Sequence, residues 1–247
     1  MSGFTNRATQ GTNGHRTNGH WQGVFLDFYG TVASGDVQAV EDVCQEVIED
    51  HGLTIDAPQL AVKWGMRFFA AVEEVGGGTF RCLKQIESET LIETVLPLAG
   101  RIDVQKYIES FNAYLARPTI YEEVREVLGR LRVPVCIVSN ADEQELRSAL
   151  AHQGLCFDFV VSSEFAGSYK PEAGIFETAL ALTGWSPGRV VHVGDSLHSD
   201  VSGAQRVGLK TAWINRTHRI SDIGTAQPDH AWSDLRPLVA LTGGADR

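Results

Sequence analysis

Asp27 and Asp195 each close a largely apolar run. Val24-Phe25-Leu26 precedes the first, and Val190-Val191-His192-Val193-Gly194 precedes the second. Each run reads as a buried strand that delivers a carboxylate to its carboxyl end, and Asp200 follows Asp195 five residues on. Strand-end acids of this kind suit a nucleophile and a site for a hard cation. Between them in the chain lie Ser139-Asn140, after the run Val133–Val138, and Lys170, ahead of Pro171. Singly each has an ordinary structural reading: Ser139-Asn140 as a turn, Lys170-Pro171 as the start of a helix. An acid, a hydroxyl with an amide, a cation and a further acid, in that order on one rim, are much harder to assign to structure alone.

The elements that must position them follow from periodicity. Strands are expected at Val24–Phe28, Val133–Val138, Phe159–Val161, Val190–Val193 and Thr211–Ile214. Helical stripes lie between them: Ile120, Val124, Val127, Leu128 and Leu131 after a Thr119-x-x-Glu122 capping box, Leu146, Ala149 and Leu150 after Asp142-x-x-Glu145, and Ile175, Phe176, Ala179 and Leu180 after Pro171. Such alternation predicts an α/β fold, a doubly wound parallel sheet with helices on both faces. In open parallel sheets ligands bind outside the carboxyl ends of the strands, where these polar residues fall.

Residues 36–116 break the alternation. Helical segments read at Val37–Asp50, Gln59–Val75, Phe80–Leu96 and Val104–Leu115, parted by Gly52, Pro58, Gly76-Gly77-Gly78 and Pro97. The economical reading is a helical bundle inserted after the first strand, joined through hinges near Val32–Asp36 and Arg117–Thr119. Trp64, Phe68 and Phe69 are expected in its core. Residues 1–22 are polar and rich in Gly, Asn and Thr, and are expected to be a disordered tail. The expected division is therefore 1–22 as tail, 23–34 with 118–247 as an α/β core, and 35–117 as a helical cap.

Composition narrows the function classes. With 247 residues, 43% of them hydrophobic, the chain can bury a full core. A formal net charge of −10 gives no footprint for a polyanion, so no nucleic-acid partner is expected. No apolar run approaches the roughly 18 residues of a membrane span, and the first residues lack the apolar stretch of a signal peptide. Cys44, Cys82, Cys136 and Cys156 form no CxxC pair. Reduced thiols fit a cytoplasmic protein, and the composition is compatible with either a monomer or a homodimer. The eight histidines make no HExxH or HxxxH pair, so a catalytic zinc site is not expected.

The ordered set Asp27-Phe28-Tyr29-Gly30-Thr31, Val138-Ser139-Asn140, Lys170-Pro171 and Val193-Gly194-Asp195-Ser196-Leu197-His198-Ser199-Asp200 resembles the haloacid dehalogenase superfamily of aspartate-nucleophile hydrolases. The likeness runs from Gly23 to Arg216, with a weaker echo at Pro228-Asp229-His230. It implies a Rossmann-like core with an inserted α-helical cap domain. Asp27 would be the nucleophile, with Tyr29 and the charge-neutralising Lys170 as catalytic partners, and Thr31, Ser139 and Asn140 would bind a small anionic substrate. Mg²⁺ would be held by Asp27, Asp195 and the main-chain carbonyl of Tyr29, with Asp200 behind them.

Tyr29 is the departure. The family's phosphatases usually carry a second Asp at this position, acting as general acid and then base. A phenol of pKa about 10 donates a proton but is a poor base near neutrality. The same Asp-x-Tyr-Gly-Thr resembles the first motif of the 2-haloacid dehalogenases, in which halide leaves unprotonated and no metal takes part. Those enzymes usually have a Ser-Asn pair and a single Asp in the last motif, whereas this chain has Asp195 and Asp200. The favoured expectation is a Mg²⁺-dependent phosphatase of small metabolites. The alternatives are a metal-free dehalogenase and a non-catalytic phosphometabolite-binding or interaction module.

Overall fold

The computed structural model describes residues 4–5, 21–75, 79–216 and 226–243. In chain order the strands are β1 (Phe4–Thr5), β2 (Gly23–Leu26), β3 (Ala33–Ser34), β4 (Thr119–Ile120), β5 (Val135–Ser139), β6 (Leu155–Cys156), β7 (Phe159–Ser162), β8 (Val190–Gly194), β9 (Lys210–Ile214) and β10 (His230–Trp232). The helices are α1 (Asp36–His51), α2 (Ala57–Val75), α3 (Leu83–Ala99), α4 (Val104–Ala116), α5 (Val124–Arg130), α6 (Glu143–His152), α7 (Ser163–Ala166), α8 (Ala173–Thr183), α9 (Gly203–Arg206) and α10 (Pro237–Leu241). A π-helical turn, Leu197–Ser202, follows β8.

Six parallel strands form the main sheet in the order β10-β9-β8-β2-β5-β7. Alternate residues of each strand feed opposite faces. Val24, Leu26, Val135, Ile137, Val191 and Val193 pack with α5, α6 and α10. Phe25, Cys136, Val138 and Val190 pack with α8 and α9. Both faces are covered, which is why the strands read as continuous apolar runs rather than alternating ones. Burying side chains such as Phe25 and Phe176 contributes about 2–3 kcal/mol each. The chain runs from β2 outward to β5 and β7, then returns to β8 on the other side of β2. That reversal opens a crevice at the carboxyl ends of β2, β5 and β8.

Helices α1 to α4 surround an apolar cluster of their own, built from Val43, Val47, Leu60, Trp64, Leu91, Val95, Ile108 and Phe111. The chain passes into and out of this bundle through β3 and β4, which pair antiparallel (Ala33 with Ile120, Ser34 with Thr119). Trp64 is buried, and its indole N–H donates to Thr90 Oγ1 at 3.0 Å. Phe69 departs from the expected core role: it is 65% exposed and faces a cleft.

Several local expectations give way to longer-range contacts. The Thr119-x-x-Glu122 capping box does not form, because Thr119 is taken into β4 and α5 begins only at Val124. Asp142 occupies the N-cap position of α6 without capping it. Its carboxylate instead accepts the Leu83 and Lys84 N–H groups, at 2.7 and 3.0 Å, and so caps α3 from the loop after β5. Helix α3 also runs through Pro97 to Ala99, one turn beyond the expected stop. Strand β10 was not expected at all. Within the expected tail, Phe4–Thr5 pair in parallel with Leu155–Cys156, and Gln22 bonds to Arg189 and Ser186. Residues 1–3 and 6–20 and the Gly76-Gly77-Gly78 hinge lie outside the described residues. The four cysteines are free thiols, and no described helix is long and apolar enough to cross a membrane.

Candidate active site

Asp27 follows β2 directly, with its backbone N–H bonded to Val193 O at 2.9 Å. This ties it to the strand that ends at Gly194, ahead of Asp195. Lys170 reaches in from the loop before α8, 3% exposed, and donates to three acceptors. They are Asp27 Oδ1 at 2.6 Å, Asp200 Oδ1 at 2.6 Å and Val138 O at 3.1 Å. Asn140 fixes that loop by a reciprocal pair: its Nδ2 donates to Lys170 O at 3.0 Å, and its Oδ1 accepts the Lys170 N–H at 2.8 Å. The amide expected to bind substrate is thus already engaged in holding the Lys170 main chain.

Asp200 is nearly sealed from solvent. Besides Lys170, its Oδ1 faces His192 Nε2 at 2.9 Å, while Oδ2 accepts the Ser196 N–H at 2.9 Å. Gly194 makes that position possible, since a Cβ there would lie 2.1 Å from Asp200 Cγ. Gly30 serves Asp195 in the same way. Its φ is +84°, and a Cβ on it would come within 2.9 Å of the Asp195 carboxylate. Ligand atoms of Asp27, Asp195 and Asp200 all lie within 4.8 Å of one another.

The electrostatics follow from burial and sign. Burial pushes the Asp27 carboxyl above its usual range; Asp200 and Asp195 add to the push, and Lys170 opposes it. Burial also works against ionised Asp200, yet Lys170 and His192 together hold it well below the ordinary carboxylate range. Burial disfavours the Lys170 charge, but Asp200 and Asp27 outweigh it and keep the ammonium protonated. Burial lowers His192, so a neutral imidazole offers its Nε2–H to Asp200. Close by, the buried hydroxyls Thr31 Oγ1 and Ser139 Oγ have no hydrogen-bond partner.

Tyr29 points elsewhere. Its hydroxyl donates to Leu115 O, on α4, at 2.7 Å. Burial raises the phenol further above its ordinary value, with Tyr114, Glu145, Glu87 and Asp142 adding to the effect. His198 sits on the rim, half-exposed, with Nε2 3.2 Å from Glu73 Oε1 on α2. The residue missed in the sequence is His192, hidden inside an apolar strand. Its signal is a lone titratable side chain two positions before Gly194, on the face that meets Phe176.

A model of haloacid dehalogenase-like hydrolases matches residues 21–208. The chain belongs to the haloacid dehalogenase-like hydrolase family. Its relatives span two chemistries. An (S)-2-haloacid dehalogenase of Pseudomonas fluorescens is 26% identical over 226 residues, covering 88% of this chain and 94% of that protein. The N-acylneuraminate-9-phosphatase of Rattus norvegicus is 30% identical over 176 residues, covering 67% of this chain and 71% of that one. Among solved structures, the L-2-haloacid dehalogenase of Xanthobacter autotrophicus superposes with a TM-score of 0.78 at 21% identity, over 92% of this chain and all of that one. This haloacid dehalogenase-like hydrolase thus shares its fold with dehalogenases and has both dehalogenases and phosphatases as relatives.

Proposed function

We propose that this hydrolase is a Mg²⁺-dependent phosphomonoesterase of small metabolites, working through an aspartyl-phosphate on Asp27, with α1 to α4 as its cap. The observation that carries this reading is Asp195. Its carboxylate is seated against Gly30 and clusters with those of Asp27 and Asp200. Such a cluster of hard oxygen donors around a buried nucleophile fits a small dication. Asp27, Asp195 and the Tyr29 carbonyl would hold Mg²⁺, with Asp200 behind. The ion would offset the repulsion between carboxylates and an incoming phosphate.

The protein's own groups account for the remaining steps. Asp27 attacks phosphorus, forming a carboxyl O–P bond as the P–O ester bond breaks and the leaving oxygen takes a proton from solvent. Water then attacks the same phosphorus, gives up a proton to solvent, breaks the acyl O–P bond, and releases phosphate and Asp27. Lys170 opposes the burial that favours a protonated Asp27, and orients its carboxylate. The unpartnered hydroxyls of Thr31 and Ser139 are donors for phosphoryl oxygens, to which they lose no existing bond. Asp200, steadied by His192, positions Lys170. With its proton committed to Leu115, Tyr29 is assigned to joining the cap and core rather than to proton transfer.

Tyr29 and the dehalogenase relatives favour a second reading, hydrolysis of a 2-haloacid. Against it, the charged residues lining the adjoining cleft (Asp36, Glu41, Glu87, Asp142 and Glu145) are all acidic. A substrate carboxylate would meet like charge there. The test is hydrolysis of an aryl phosphate with and without Mg²⁺, run beside halide release from 2-haloacids, for wild type and Asp27→Asn. Phosphate release that needs both Mg²⁺ and Asp27 supports the proposal. Halide release without phosphate release replaces it with the second reading.

A further inference from the structure

Next to the reacting centre, with Tyr29 and Asn140 on its edge, lies a cleft of about 630 Å³ between the sheet rim and α1 to α4. Its walls are largely apolar. Val37 of α1 and Val62, Met66 and Phe69 of α2 are 63–71% exposed, all on this one cavity. Large apolar side chains gathered on one concave surface mark a ligand site. Among the described residues, no Lys or Arg lines it.

One lining residue stands out. Glu87, on the second turn of α3, is 4% exposed, and its Oε2 has no hydrogen-bond partner. The nearby Asp142 is not in the same position, because its carboxylate is already used by two α3 N–H groups. Glu87 is faced by Asp142 from the loop after β5, by Glu145 from α6 and by Lys84 from its own helix. Burial first, and then the two neighbouring acids, push its carboxyl up to about 8. A buried acceptor without a donor is costly, and one hemmed in by other acids is relieved most by a cation.

We propose that the cleft holds the leaving group of the phosphoester, and that this group is an apolar amine whose ammonium N–H seats on Glu87 Oε2. The assignment rests on the phosphomonoesterase reading for its phosphate end and on the cleft alone for its amine end. The hydrocarbon part covers Val37, Val62, Met66 and Phe69. A hydroxyl would supply a donor but no charge, leaving the surrounding acids unbalanced, and a carboxylate would be repelled by them.

The test compares ω-aminohexyl phosphate, hexyl phosphate and ω-carboxypentyl phosphate, with an aryl phosphate as reference, on wild type and Glu87→Gln. In wild type, kcat/KM should fall in the order amine, alkyl, carboxylate, with at least about tenfold between the ends. In Glu87→Gln the amine-to-alkyl ratio should fall toward one. Calorimetric binding of hexylamine, hexanol and hexanoate to wild type gives a readout free of turnover, with the amine expected to bind tightest. Asp27-dependent turnover of the aryl phosphate without an amine preference would overturn this inference and leave the phosphomonoesterase reading standing. Absence of all phosphate turnover would sink that reading, and calorimetry would still decide the ligand of the cleft. Hexanol or hexanoate binding as tightly as hexylamine would overturn the amine assignment. The wild-type series decides the matter even if Glu87→Gln does not fold.

Discussion

Replacing Glu87 by Gln tests whether the wall of the cleft holds a carboxyl group in its neutral form. The ordinary value for a glutamate is 4.5, and burial, reinforced by Asp142 and Glu145, carries Glu87 to about 8. Between these values the folded protein holds a proton that the unfolded chain has released. The stability linked to Glu87 is therefore greatest below 4.5, declines as pH rises, and is fully lost above about 8. At about 1.36 kcal/mol for each pH unit, the loss is about 3 kcal/mol by neutrality and at most about 5 kcal/mol in all. Gln has nearly the same shape and no proton to lose. Its amide adds a constant offset of about 1–3 kcal/mol if its N–H groups find no partner, and that offset does not depend on pH. The difference in stability between Glu87→Gln and wild type should thus move in favour of the variant by about 3 kcal/mol from acid to neutral pH. Urea unfolding of both proteins across this range in Mg²⁺-free buffer measures it, and carboxylates remote from Glu87 cancel in the comparison, while Asp142 and Glu145 add only their change in coupling to it. Parallel stability curves would refute the reasoning, because they would mean that Glu87 ionises alike in the folded and unfolded chains.

Three further outcomes are expected. Tyr29→Phe should lower stability by about 1 kcal/mol through loss of the bond to Leu115 O, while cleavage of an aryl phosphate keeps its rate and pH profile; a drop of about 10²-fold or more in rate would return Tyr29 to proton transfer. Gly194→Ala should push Asp200 off Lys170 and lower kcat about 10²-fold, with far-UV circular dichroism unchanged; full activity would show that Asp200 does not position the lysine. Asp195→Asn should raise the Mg²⁺ concentration needed for half-maximal rate at least about tenfold, and excess chelator should abolish wild-type turnover; chelator-resistant phosphate release would remove the metal from the reaction.

The main sheet was legible because its strands are buried on both faces. Val24-Phe25-Leu26 and Val135 to Val138 therefore carry no polar interruption to confuse them with loops. Asp27 and Asp195 were legible as acids at strand ends, and Lys170 and Asp200 through their place in the order of the motifs around them. What escaped depends on contacts distant in sequence. Thr119 carries the local signal of a helix cap, yet pairing with Ser34 claims its backbone. Asp142 carries the same signal for α6, yet the N-terminus of α3 lies closer to its carboxylate. Glu87 looks like any polar position on a helix, and its burial beside Asp142 and Glu145 depends on contacts distant in sequence. His192 was masked by valines on either side. Strand β10 is three residues long, too short to show a period.

The narrow ribbon of β3 and β4 has an evolutionary consequence. Ala33 lies beside Ile120 and Ser34 beside Thr119, and the Ser34 and Thr119 hydroxyls bond at 2.9 Å. The chain therefore leaves the sheet and comes back to it at one spot, and a turn of about two to five residues would join the same two strands. Everything between them enters and leaves by this one crossing, with the bonds of Tyr29 to Leu115 and of Asp142 to Leu83 and Lys84 as further ties to the sheet side. The register of the six parallel strands is set by pairing among the strands themselves. A segment exchanged at this crossing therefore leaves that pairing in place and needs only those ties rebuilt.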